Sequence, residues 1–130
     1  MSMIMTRSEF FDLSADHMSK FEYDAKADAF SWTSKPMERM FGYGSGELVG
    51  NPVEIIVPLA KRAMHKAHRA AYEKTPEPRQ MGRSMTVDLD GQRKDGTTFP
   101  VEVVLIPHYY NKRLIIAGFI MDMTGRARVK

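Results

Sequence analysis

Arg93-Lys94-Asp95-Gly96-Thr97-Thr98-Phe99-Pro100-Val101-Glu102-Val103 is the stretch of this 130-residue chain whose reading decides the fold. Asp95-Gly96 predicts a two-residue hairpin turn, because such a turn needs positive φ at both central positions and Asp-Gly tolerates it. Beyond the turn, Phe99, Val101, Val103 and Leu105 recur at every second residue and mark one face of a strand. Before it, Met85, Val87 and Leu89 do the same. The alternation predicts strands over 85–94 and 98–109, with a third over 113–123.

Upstream, the signals change to those of short helices. Thr6-Arg7-Ser8-Glu9 is a capping box with Met5 and Phe10 as its hydrophobic staple. It predicts a helix over 7–16 whose apolar side carries Phe10, Phe11 and Leu13. Strands are expected over 18–24 and 29–33, joined by a turn at Ala25-Lys26-Ala27-Asp28. Ser34 can cap a helix through Met40, with Gly42 ending it, and Ser45 can cap a single turn ending at Gly50. Asn51-Pro52-Val53-Glu54 reads as an N-cap with Pro at N1 and Glu at N3. A longer helix is expected over 59–74, stopped by Thr75-Pro76-Glu77-Pro78. Ala60, Met64, Ala67 and Ala71 form its apolar stripe, which would turn His65 to the flank. Two strands, four helices and three strands give an α+β fold with an antiparallel sheet.

The last two strands are apolar on both faces. Val104 and Ile106 alternate with Val103 and Leu105, and Leu114, Ile116 and Ile120 alternate with Ile115, Ala117 and Phe119. A sheet with one face in water shows polar residues there, so a cover is required. The N-terminal helix and a second copy of the chain are the expected covers. The residues assigned to a homodimer surface are Phe10, Phe11, Leu13, Val104, Ile106, Leu114, Ile116 and Ile120.

Composition narrows the function. Net charge is +3, and the basic residues are scattered without interleaved stacking aromatics, so no nucleic-acid partner is expected. No apolar run has the length of a membrane span and no signal-peptide pattern opens the chain, which fits a cytoplasmic location. Cysteine is absent, which removes disulfides, thiolate nucleophiles and Cys-ligated metals. The eleven methionines suit an adaptable interior. No nucleophile, base and orienting group can be assembled from spacing. Gly42-Tyr43-Gly44-Ser45-Gly46 lacks the G-x-G-x-x-G spacing of a phosphate loop.

Several stretches together resemble the PAS domain family. Arg93–Val103 is similar to the family's last hairpin, and Met37–Tyr43 to its A-x-E-R-L-F-G-Y helix. Glu47–Glu54 resembles E-L-[IV]-G-x-x-V-E, His65–Tyr72 resembles H-x-x-H-R-x-x-Y, and Pro78–Gly82 resembles P-R-x-M-G. Asp122-Met123-Thr124 resembles the D-I-T that closes the last strand. The likeness runs from about Lys20 to Thr124, so a PAS domain is expected over 18–124. Residues 1–17 would then be a helical cap and 125–130 the start of a linker. The family usually has Gly in the first turn and Asn before the first core helix, where this chain has Asp28 and Ser34.

The resemblance implies a five-stranded antiparallel sheet with short helices on one face, cupping a small cavity. It implies a sensory or interaction module that is not an enzyme. Pocket candidates are Tyr23, Phe30, Trp32, Met40, Ile56, Met85, Val87 and Phe119. Asp122 and Thr124 would pass a signal to an output domain. Partners would be a small apolar ligand and a second copy. No cofactor is the leading expectation. Haem is the alternative, since His65 falls at the place of the proximal iron ligand in haem-binding sensors of the family. Met85, Val87 and Leu89 stand where those sensors carry a distal arginine, which argues against it. The reactive cysteine of flavin photosensors is missing. His65 and His68 sharing a metal, a small hydrolase and a purely structural dimerisation module are further alternatives. Glu47 and Lys94 are expected to pair between the helical region and the hairpin.

Overall fold

A computed structural model describes residues 18–82 and 89–125. The expected helix with Phe10, Phe11 and Leu13, the pocket candidates Met85 and Val87, and the end of the linker lie outside the described residues. Strands β1 (Lys20–Asp24) and β2 (Ala29–Thr33) lead into helix α1 (Lys35–Phe41). Two 3₁₀ turns, Val53–Ile56 and Leu59–Lys61, precede helix α2 (Arg62–Lys74). Strands β3 (Arg79–Met81), β4 (Asp90–Gln92), β5 (Thr98–Tyr110) and β6 (Arg113–Asp122) follow.

The sheet is antiparallel, in the order β2-β1-β6-β5-β3, with β4 also on β5. The α+β architecture is the one expected. Of the strand expected over 85–94, residues 85–88 lie outside the described residues, and β4 is its described part; β3, on the same edge of β5, was not expected. β3 pairs Met81 with Val103, and β4 pairs Asp90 with Pro100. The sheet is therefore five positions wide though six strands build it.

The hairpin turn differs from the two-residue type. Arg93 N–H donates to Thr97 O at 2.8 Å, so Lys94-Asp95-Gly96 form a three-residue loop in which only Gly96, at φ 91°, is left-handed. This is a type I turn followed by a bulge glycine. Asp95 fits the non-left-handed position because its carboxylate accepts from Thr97 N–H at 2.9 Å and from Thr97 Oγ1 at 2.7 Å. The turn with two left-handed central residues joins β5 to β6, at Asn111 and Lys112.

Ser34 caps α1 as expected. Its Oγ accepts from Met37 N–H at 3.3 Å and from Lys20 N–H at 2.9 Å, which ties the helix start to β1. Gly42 ends the helix at φ 81°, with Tyr43 N–H reaching back to Glu38 O at 2.9 Å. Residues 45–50 form turns with no helix. Asn51 does not cap. Its Nδ2 donates instead to Glu47 O at 2.9 Å, and Val53–Ile56 starts without a side-chain cap.

Strand register decides which side chains reach the core. Tyr23 pairs with Ile116, Phe21 with Gly118, and Val103 with Ile120. These residues face α2, and the core they form includes Phe30, whose ring meets Phe21 edge-on at 5.3 Å and Tyr23 at 6.1 Å. The partner-surface assignment of Leu114, Ile116 and Ile120 is thereby corrected. Ile116 and Ile120 are 5% and 4% exposed in the core, and Leu114, of the same parity, packs against it. Val104 and Ile106 do lie on the opposite face, paired with Phe119 and Ala117.

Candidate ligand cavity

A cavity of about 350 Å³ lies between α2 and the inner face of the sheet. Its floor is apolar: Phe21, Phe41, Ile56, Val101, Ile116 and Ile120 line it and are buried. Val53, Leu89, Val103 and Leu105, partly buried, continue the wall. The close approach of Phe41 to the β4 backbone needs Gly91, where a Cβ would stand 2.9 Å from the ring.

Helix α2 forms the other wall, and it turns a polar side inward. Arg62, His65, Arg69, Tyr72 and Glu73 are partly or fully buried, while Ala60, Ala67, Ala71 and Met64 are exposed, Met64 by 63%. This reverses the expected orientation of the helix. Three of the four stripe residues are alanines, whose burial stabilises little. Long amphipathic side chains can instead cover the apolar wall with their stems and meet charged partners at their ends.

Those partners form one connected network. Arg69 Nε donates to Glu54 Oε2 at 2.9 Å and its Nη2 to Glu54 Oε1 at 2.9 Å. Its Nη1 reaches Asp28 at 2.7 Å and Glu73 at 3.1 Å, and the guanidinium lies 5.2 Å over the Tyr23 ring. His65 Nδ1 donates to Glu54 Oε2 at 2.7 Å. The Tyr23 hydroxyl donates to Asp28. Burial pushes the Glu54 carboxyl up, but the bonds from Arg69 and His65 outweigh it and hold the group below its ordinary value. The Tyr23 hydroxyl bond is the main cause holding Asp28 low, while burial, then that same bond, pushes the Tyr23 phenol up. Desolvation would lower Arg69, and Glu54 outweighs it and raises the group. Asp28 stands at φ 58°, a left-handed position where the family resemblance leads one to expect Gly. Asp tolerates that backbone, and here its carboxylate joins the network.

The expected site residues separate accordingly. Tyr23, Ile56 and His65 line the cavity, and Phe30 packs behind Tyr23 in the core. Met40 packs against the core from outside, its sulfur 3.8 Å from Ser19 Oγ, and does not reach the cavity. Trp32 and Phe119 belong to the other face. Phe119 pairs with Lys20 and Val104, and the Trp32 ring lies 5.7 Å from Lys20 Nζ. A register shift between Phe30 and Trp32 is the reason: Glu22 faces Trp32 and Tyr23 faces Phe30, so the bulge at Ser31 puts Phe30 and Trp32 on opposite sides. Lys61, His68 and Arg79 line the cavity from exposed positions; none was expected there, and His68 was a candidate only for a metal shared with His65. The signal that could have found this wall is the polar i, i+4 row His65-Arg69-Glu73 on α2.

At the far end of β6, Asp122 Oδ1 accepts from Thr124 N–H at 2.9 Å and from Thr124 Oγ1 at 2.5 Å. Met123 N–H donates to Pro100 O at 2.8 Å, and Arg93 Nη2 stands 3.5 Å from Asp122. The expected pair of Lys94 and Glu47 forms at 2.6 Å, exposed to solvent. Among the described residues no helix is long and apolar enough to cross a membrane.

Comparison with known proteins agrees with this fold. The sensor protein FixL of Bradyrhizobium diazoefficiens is 32% identical over 91 residues, which are 70% of this chain and 18% of that protein. The chain thus spans less than a fifth of the length of this relative. The PAS domain of a Colwellia psychrerythraea protein superposes with a TM-score of 0.71 at 17% identity, covering 92% of this chain and 96% of that one. The LOV domain of a blue-light activated histidine kinase from Erythrobacter litoralis gives 0.65 at 17% identity, over 82% and 95%. A family model described as PAS domain matches residues 24–125, most of the sequence, and the chain belongs to the PAS domain family.

Proposed function

We propose that this PAS domain is a non-enzymatic sensory module of a signalling protein. A small, mainly apolar ligand occupies the cavity under α2. Its presence is passed along β6, through Asp122 and Thr124, and through a homodimer surface to an output domain. The carrying observation is that β6 lines the cavity with Ile116 and Ile120 and ends two residues later at the Asp122-Met123-Thr124 turn. A ligand shifts the output only if it binds two arrangements of that strand with different affinity. FixL is named a sensor protein and the Erythrobacter domain serves a histidine kinase, which supports a kinase as the output. Val104 and Ile106 on the outer face supply the dimer surface. Hydrogen exchange at Met123–Gly125, with and without a bound apolar ligand, tests the coupling; unchanged exchange on saturation would sink it. Light scattering of a monomer at micromolar concentration would remove the dimer.

A second reading has one observation in its favour. His65 lines the cavity with Nδ1 held by the Glu54 carboxylate, the arrangement that orients a metal-ligating imidazole through its other nitrogen. The donor chemistry fits haem iron, which when bound would supply a gas-binding site. The volume favours a smaller guest, since about 350 Å³ stands at the low end of the roughly 300–1,000 Å³ of small-molecule pockets. A Soret band after adding hemin would establish this reading, and its absence would end it.

A further inference from the structure

The cavity walls and the cavity mouth differ in chemistry. Inside, the polar groups answer one another: Tyr23 is bonded to Asp28, and Arg69 to Glu54, Glu73 and Asp28. A guest that reaches the floor meets hydrocarbon and aromatic rings. The exposed lining residues are different. Lys61 stands on the 3₁₀ turn ahead of α2, His68 on the middle of α2, and Arg79 on β3; Met64, 63% exposed on the first turn of α2, is the apolar residue among them. The Arg79 guanidinium carbon stands 4.7 Å from the centre of the Tyr72 ring, and its ion pair with Glu77 is loose at 3.9 Å. Among the described residues the carboxylates lining the same cavity are Glu73, which is bonded to Arg69, and Asp90. Among the described residues the mouth thus presents an ammonium, a guanidinium and an imidazole, with the Met64 thioether beside them, above an apolar floor.

We infer that the ligand is an amphipathic anion: a hydrocarbon or aryl body that fills the floor, carrying one carboxylate that stays at the mouth against Lys61, His68 and Arg79. The inference rests on the cavity being the ligand site and adds the class of guest. A buried carboxylate would be costly among these rings. At the wet mouth it keeps part of its hydration and gains charge-assisted hydrogen bonds. A body of modest length matches the volume.

Calorimetric titration with decanoate, decanol and decylammonium, all below their micellar concentrations, tests it. Decanoate is expected to bind about tenfold more tightly than decanol, the size of one charge-assisted bond, and decylammonium more weakly than either. In the triple variant Lys61→Gln/His68→Gln/Arg79→Gln the advantage of decanoate over decanol should vanish while decanol affinity stays. Equal binding of decanoate and decanol to the unaltered protein would overturn the anion inference and leave the cavity standing. So would a carboxylate preference that survives in the triple variant. If the triple variant does not fold, the order of the three ligands on the unaltered protein decides. Leu105→Trp fills the cavity and should abolish binding of all three. Decanol binding that persists there, or no binding of any of them to the unaltered protein, would overturn the cavity reading itself.

Discussion

Arg69 and Glu54 meet in a two-pronged ion pair, both bonds 2.9 Å, that joins the middle of α2 to the 3₁₀ turn Val53–Ile56. Their side chains are 12% and 10% exposed. Arg69→Met keeps the aliphatic stem and leaves Glu54 without its main partner. Removing one member of a buried pair costs about 3–5 kcal/mol, and residual solvent contact points to the low end, about 3 kcal/mol. Urea unfolding should show the midpoint falling at unchanged slope. Adding Glu54→Gln should recover part of the loss. A loss below about 1 kcal/mol would mean that the pair does not hold α2 over the cavity.

Acid should weaken the protein, and the sign follows from the carboxylates. Glu54 is held below its ordinary value of 4.5 although burial opposes this, by Arg69 and His65. Asp24 is held below 3.8, also against burial, by Ala27 N–H and by Arg113, whose Nη2 is 2.6 Å away. A group with a depressed folded value contributes stability that is fully present above its unfolded value. That stability is lost as pH falls through the folded value. Unfolding free energy should therefore be level from neutral pH down to about 5 and decline below that. In Arg69→Met the decline should be shallower. A variant curve parallel to that of the unaltered protein would remove Glu54 as a source of the slope.

Gly118 pairs with Phe21 across β1 and β6, and the Phe21 ring fills the space where a side chain at 118 would stand. The Gly is required by the packing of the floor and not by its backbone angle. Gly118→Ala drives a methyl into the ring, and such overpacking costs about 1–3 kcal/mol. Phe21→Leu in the same chain should relieve the clash, so the two substitutions together should cost less than their sum. Strict additivity in thermal melts would show that the ring moves aside freely.

The hairpin, the cap at Ser34 and the position of the helices between two groups of strands were legible because each rests on local chemistry. The faces of the sheet were not. Alternation along β6 separates Leu114, Ile116 and Ile120 from Ile115, Ala117 and Phe119, but both sets are apolar, and nothing local says which one meets α2. Pairing of Tyr23 with Ile116 decides it. Trp32 was misplaced because one bulge at Ser31 reverses the parity of β2, and no residue type announces that bulge. His65 was turned to the flank because an alanine stripe outweighed a polar one. The energy of the polar stripe lies in partners such as Glu54 and Asp28, which are distant in sequence.

Ser34 sits where the family resemblance leads one to expect Asn, and it holds three groups. It accepts from Met37 N–H and Lys20 N–H and donates to Met18 O at 3.0 Å. Losing a helix cap costs about 1 kcal/mol, and leaving the buried Lys20 N–H without its acceptor adds to this. Ser34→Ala should therefore destabilise by about 2 kcal/mol. Ser34→Asn retains an acceptor oxygen for the helix N-terminus and should stay within about 0.5 kcal/mol of the unaltered protein. Denaturant melts of the two variants, with amide exchange at Met37 and Lys20, separate the contributions. The cap accounts for the residue only if both amides lose protection in Ser34→Ala and both regain it in Ser34→Asn.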